Sequence, residues 1–170
     1  EFKLATVLRD KEENFIPKKT SLNKKNSNIF GSVNNNFSDF FNLNYKFAIN
    51  NKFNSIEHND LGVEFKLNNF NTKFNFLEES GEMGSSNFLE NETNFQFDEQ
   101  NFLTFKTRRN RKLNLTEYYD LVYEYKNDCL SAGIKYKKTY YEDRELKPSE
   151  NLFFTISLIP LTNYEQKIER

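Results

Sequence analysis

Apolar and polar residues alternate along most of this chain with a period of two, and the helical period of 3.6 is hard to find in it. Phe41, Leu43, Tyr45, Phe47 and Ile49 are separated by Asn42, Asn44, Lys46 and Ala48. Leu61, Val63, Phe65 and Leu67 share one parity, and Phe70, Thr72, Phe74 and Phe76 share the next. Later in the chain the same rule produces Tyr119, Leu121, Tyr123 and Tyr125, then Leu130, Ala132, Ile134 and Tyr136, then Leu152, Phe154, Ile156 and Leu158. Weaker alternation marks 2–8, 28–35, 89–97 and 102–108. The pattern predicts about ten strands. Each is close to the roughly 9 to 11 residues that a tilted strand needs to cross a bilayer.

The connections alternate in length. Short ones are expected near Ser38, at Asn68 and Asn69, near Glu99, and at Asn127 and Asp128; long polar ones are expected over 10–27, 50–60, 78–87, 109–118 and 139–150. Short turns on one rim and long loops on the other are the signature of an antiparallel up-and-down transmembrane β-barrel. Two hairpins fix a register. A turn at Asn68 and Asn69 sets Leu67 against Phe70 and Glu64 against Lys73, while a turn at Asn127 and Asp128 sets Tyr125 against Leu130 and Asp120 against Lys135. Apolar meets apolar and polar meets polar, whereas a slip of one residue would reverse every side chain. A soluble β-sandwich with one wet face also alternates. Its exposed face, however, would be lined with Phe and Tyr on nearly every strand.

Composition narrows the classes. Only 36% of the 170 residues are hydrophobic and mean hydropathy is -0.84, thin for a soluble core of this length. Nineteen Phe and nine Tyr stand against no Trp, so aromatic rings supply much of the apolar surface. A net charge of -1 argues against a nucleic-acid binder, whose balance would be strongly basic. The first residue is Glu1 with no signal-peptide pattern, so the chain reads as a piece of a longer precursor.

Enzyme chemistry finds no support. His58, the single histidine, falls in a polar stretch read as loop, and one Cys with one His cannot make a structural zinc site. No catalytic, cofactor or metal residue is assigned. The basic run containing Arg108, Arg109, Arg111 and Lys112 reads either as a phosphate-binding loop or as a solvated loop tip. Cys129, the single cysteine, stands at the corner between two alternating runs.

Three stretches of the C-terminal third carry a resemblance: LTEYYDLVYEYKNDCL at 115–130, the Tyr-Tyr-x-Asp-Arg loop at 140–144, and FFTISL at 153–158. From 102 to 161 the chain resembles the end of the lipopolysaccharide-assembly outer-membrane proteins, the LptD family, in its alphaproteobacterial form. The resemblance implies that 1–161 is the C-terminal portion of a larger barrel of about 26 strands, integral to the outer membrane of a Gram-negative bacterium. It implies a periplasmic tail over 162–170 and a periplasmic domain upstream. Its partners would be lipopolysaccharide, a plug lipoprotein, periplasmic bridge proteins and outer-membrane lipid. No bond is made or broken in such a conduit. The alternative from the pattern alone is a passive porin-like barrel.

The resemblance also assigns roles. Cysteine at the 127–128 turn implies a disulfide to the upstream periplasmic domain, and the short turn agrees with an oxidising periplasmic location; a free thiol acting as a small apolar residue is the other reading. Leu152, Phe153, Phe154, Thr155, Ile156, Ser157 and Leu158 become one side of a lateral gate. On this reading 152–159 is the last strand, paired on one side by 134–138 with its other edge open. Pro160, which lacks an N–H, either helps the gate to part or merely ends the strand.

Overall fold

The computed structural model describes residues 1–141, 147–158 and 162–169. They form a single sheet of eleven antiparallel strands in chain order: β1 (Phe2–Ala5), β2 (Ile29–Ser38), β3 (Phe41–Ile49), β4 (Ile56–Leu67), β5 (Phe70–Glu79), β6 (Asn87–Gln96), β7 (Asn101–Asn110), β8 (Leu115–Lys126), β9 (Leu130–Thr139), β10 (Ser149–Leu158) and β11 (Thr162–Glu169). One 3-10 turn, Lys18–Thr20, interrupts the β1–β2 connection. In the strand order of the described residues β1 and β11 stand at the two ends and are not paired with each other.

Most strands run further than the alternation predicts. The loop expected over 50–60 shrinks to 50–55, because β4 begins at Ile56; the loop expected over 109–118 is the four-residue turn 111–114 between β7 and β8. Most of the added residues, such as Glu57 to Asp60, are polar on both faces, so periodicity does not mark them, yet side-chain bonds tie both these and the expected strand residues to neighbours. Tyr45 donates to Asn59 at 2.7 Å and Asn42 to Glu64 at 3.1 Å. His58 therefore lies in a strand rather than a loop.

The chain divides into two compact units. The first holds Glu1–Glu64 and Phe74–Leu89. Here Lys3, Ser32 and Lys46 form one cross-strand row, and Ala5, Phe30 and Ala48 form the next. The Phe47 ring lies across Gly31, where a Cβ would come within 2.1 Å of it, so only glycine fits under the ring. The long β1–β2 connection continues the hairpin irregularly, through the Leu8–Asn26 bridge and the bond from Ser27 N–H to the Val7 carbonyl. Ser21, Ser27 and Asn28 are buried there, and each has a partner. Ser21 Oγ accepts from Asn28 N–H at 2.9 Å, Ser27 Oγ donates to the Asn28 carbonyl at 2.7 Å, and the Asn28 amide donates to Glu57 at 2.8 Å.

The second unit holds Phe65–Lys73 and the chain from Glu90 onward. Between β8 and β9 the observed pairs are Tyr125 with Ala132, Leu121 with Tyr136 and Asp120 with Lys137. The expected register is thus corrected by two residues. The turn is centred on Asp128 and Cys129, and Asn127 stands outside it: its N–H donates to the Leu130 carbonyl at 2.8 Å, and its Oδ1 accepts from the N–H groups of Cys129 and Leu130 at 3.0 and 2.8 Å. A shift of two preserves side-chain parity, so the assigned faces survive. The other hairpin keeps its register. Strands stop at Leu67 and resume at Phe70, Asn68 takes φ 36°, and Ser80 N–H reaches the Glu57 carbonyl as that register requires.

The largest departure is at the C-terminal end. Residues 162–169 are not a tail but β11, paired with β10 from Leu158–Thr162 through Asn151–Glu169. Strand β10 is consequently paired on both sides, with β9 along Leu130–Thr139 and with β11, and its second edge is not open. Pro160, and residues 142–144 of the Tyr-Tyr-x-Asp-Arg loop, lie outside the described residues.

Candidate functional site

The sheet presents two chemically opposite faces. In the second unit one face carries Leu103, Phe105, Leu121, Tyr123, Ile134, Tyr136, Leu152, Phe154, Ile156, Tyr164 and Ile168, brought into rows by the register. These side chains stand in the open: Leu121 is 40% exposed, Ile134 44%, Ile156 50% and Tyr164 61%. Among the described residues Ala48 is the one apolar side chain that is buried. A soluble sandwich would cover such a face with a second layer.

Aromatic rings gather toward both ends of that face. Phe70, Phe95 and Phe97 cluster at the short-turn end, with centroids 6.5 and 4.7 Å apart; Phe105, Tyr119 and Tyr140 cluster toward the other, at 6.4 and 6.2 Å. Lys138 pairs with Glu150 there, its ammonium 5.5 Å from the Tyr140 ring. Tyr119 and Tyr140, amphipathic rings with the Lys138 charge beside them, suit a boundary between hydrocarbon and water. Ten residues rise about 33 Å, which at ~45° tilt is near the ~25 Å height of an outer-membrane apolar band.

The opposite face is largely polar, with Phe102, Val122 and Phe153 set among charged and hydrogen-bonding side chains. Lys106 meets Glu92 at 3.1 Å, Lys135 meets Asp120 at 3.2 Å, Ser131 donates to Glu124 at 2.9 Å, and Thr104 donates to Asn94 at 2.8 Å. Half-exposed pairs of this kind contribute little stability each. Their effect is to keep a wet surface along the strands.

The basic run is divided between two settings. Arg108 and Arg109 lie in β7, and only Arg111 and Lys112 reach the turn. A register shift between Arg108 and Arg109 makes Glu117 an extra residue on β8, and the Arg108 guanidinium spans Glu90 at 3.4 Å and Glu117 at 2.8 Å. Arg109 donates to Asn114, which holds φ 52° in the turn. A single four-cation loop is therefore not formed.

Cys129 is a free, exposed thiol at the tip of the β8–β9 turn. The β6–β7 turn is organised by Asp98, whose Oδ1 accepts the N–H groups of Gln100 and Asn101, both at 2.8 Å, and whose carboxylate also takes both bonds of the Asn101 amide. The Gln100 backbone bond, then the Asn101 amide, hold its carboxyl below the usual aspartate range. Among the described residues no group of three or more His, Cys, Asp or Glu is placed to hold a metal ion.

Two features escape the sequence reading. Strand β11 alternates Tyr164 and Ile168 with Glu165 and Lys167, but Gln166 interrupts its apolar parity. The other is a cavity beside β1–β3 in the first unit, whose lining comes from residues far apart in the chain. No family model matches the chain, and no curated protein matches it significantly.

Proposed function

We propose that this chain is the C-terminal part of an outer-membrane β-barrel of the LptD type, which delivers lipopolysaccharide to the outer leaflet. The observation that carries the reading is the uncovered apolar face, ringed by aromatic residues and backed by a charged, hydrogen-bonded face. Hydrocarbon suits the first and a hydrated lumen suits the second. Sugar and phosphate would travel along the wet face, while acyl chains would leave sideways through a seam between strands. On this reading the seam would lie at the outer edge of β11 rather than of β10, which is paired on both sides. Arg111 and Lys112 would meet lipopolysaccharide phosphates at the β7–β8 turn. A plug lipoprotein, periplasmic bridge proteins, and a disulfide from Cys129 to a cysteine upstream of Glu1 complete the proposal.

Depletion of the full-length protein in its bacterium is the test. Lipopolysaccharide should cease to reach the cell surface and should accumulate inside. Continued export with reduced uptake of small solutes would replace the proposal with a porin.

A further inference from the structure

The first unit carries an open, largely apolar cavity of about 360 Å³ whose lining includes Leu4, Phe30, Phe47 and Met83 together with Lys3 and Lys46. The register explains how it forms. Lys3, Ser32 and Lys46 lie in one row across β1, β2 and β3, with Ala5 and Phe30 in the next row. The small Ser32 between two long lysines leaves a hollow, and Met83, from the β5–β6 connection, encloses it with Phe30.

Only cationic or neutral side chains reach the interior. Lys3 pairs with Glu1 at 2.9 Å, Lys46 with Asp60 at 3.9 Å, and His58 Nδ1 lies 3.6 Å from Glu79, yet none of these carboxylates lines the cavity. The Lys46 side chain is 55% exposed and, among the described residues, its ion pair with Asp60 is at the limit of contact, so its ammonium has donors to spare. A largely apolar hollow with two lysine side chains in its lining matches a molecule with a hydrocarbon tail and an anionic head.

We propose that this cavity binds a single acyl chain bearing an anionic head group, the tail against Phe30, Ala5 and Met83 and the head between Lys3 and Lys46. The inference goes beyond the transport reading, because the cavity lies within the first unit and is argued from its own lining, and does not depend on the apolar face of the second unit meeting lipid.

The test is photo-crosslinking with a diazirine-bearing fatty acid, on the full chain in nanodiscs of neutral phosphatidylcholine, with labelled peptides mapped by mass spectrometry. Label should appear on the peptides of Phe30 and Met83, and the corresponding uncharged fatty alcohol should label them about tenfold less. Ser32→Trp fills the hollow, and Lys46→Glu repels the head group. Each should remove the label from those peptides while leaving label on the peptides of Phe154 and Ile156, which also reports that the variants are folded. Equal labelling by acid and alcohol, or label at Phe30 and Met83 that survives both substitutions, would overturn the assignment. So would label confined to the apolar face. Loss of the apolar-face label alone would count against the membrane reading and leave this inference standing.

Discussion

At the scale of single residues, turns are set by side chains that occupy backbone donors. Asn127 and Asp98 each accept two consecutive N–H groups, which is why these residue types recur at turns. The Asp98 carboxyl is held below its ordinary value first by the Gln100 N–H and then by the Asn101 amide. Because the folded pKa is depressed, its contribution to stability is present above the unfolded pKa and is lost as pH falls through the folded one. A carbon-detected titration should therefore place the Asp98 midpoint below that of an unstructured aspartate, and Asp98→Ala should flatten the acid limb of the unfolding profile. A midpoint in or above the ordinary range would contradict the turn geometry. Cys129 is exposed at its turn with no partner in this chain. In the full-length protein, Cys129→Ser should shift mobility on non-reducing electrophoresis; identical migration would leave a free thiol.

At the scale of strands, energetics depend on which face a residue occupies. Tyr123 and Ile134 are cross-strand partners on the apolar face, whereas Ser131 lies on the polar face and donates to Glu124. Tyr123→Arg or Ile134→Arg should destabilise by about 2 to 4 kcal/mol if near the bilayer midplane, and Ser131→Arg by much less. Urea titration of the chain refolded into vesicles measures this, and equal losses would refute the assigned faces. The faces themselves were legible in the alternation of residues such as Tyr119 to Tyr125, because a register error of two leaves parity intact. Strand ends were not legible. Glu57, His58, Asn59 and Asp60 read as loop, since no apolar residue marks a face, yet they complete β4. Arg108 was read as part of a phosphate-binding or solvated loop, but Glu90 and Glu117, from two other strands, occupy it.

At the scale of the whole chain, one fact dominates: an eleven-stranded sheet in which Ala48 is the sole buried apolar side chain among the described residues. Hydrophobic burial is the main favourable term in folding, and the exposed Leu, Ile, Phe and Tyr side chains therefore support the proposed lipid-facing assignment. The sequence pattern anticipated the antiparallel meander and its polar second face. It did not anticipate β11, because Gln166 interrupts the parity that Tyr164 and Ile168 begin, and with β11 the free edge moves one strand outward. If one face meets lipid and the other water, single-cysteine scanning of β10 in a Cys129→Ser background will separate them. Cysteines at Phe153, Thr155 and Ser157 should react with a water-soluble maleimide in intact vesicles. Those at Leu152, Phe154 and Ile156 should resist it and react instead with a lipid-dissolved maleimide, giving a reactivity period of two along the strand. Uniform reaction with the water-soluble reagent at all six positions would contradict the account, for it would mean that both faces of the sheet are wet.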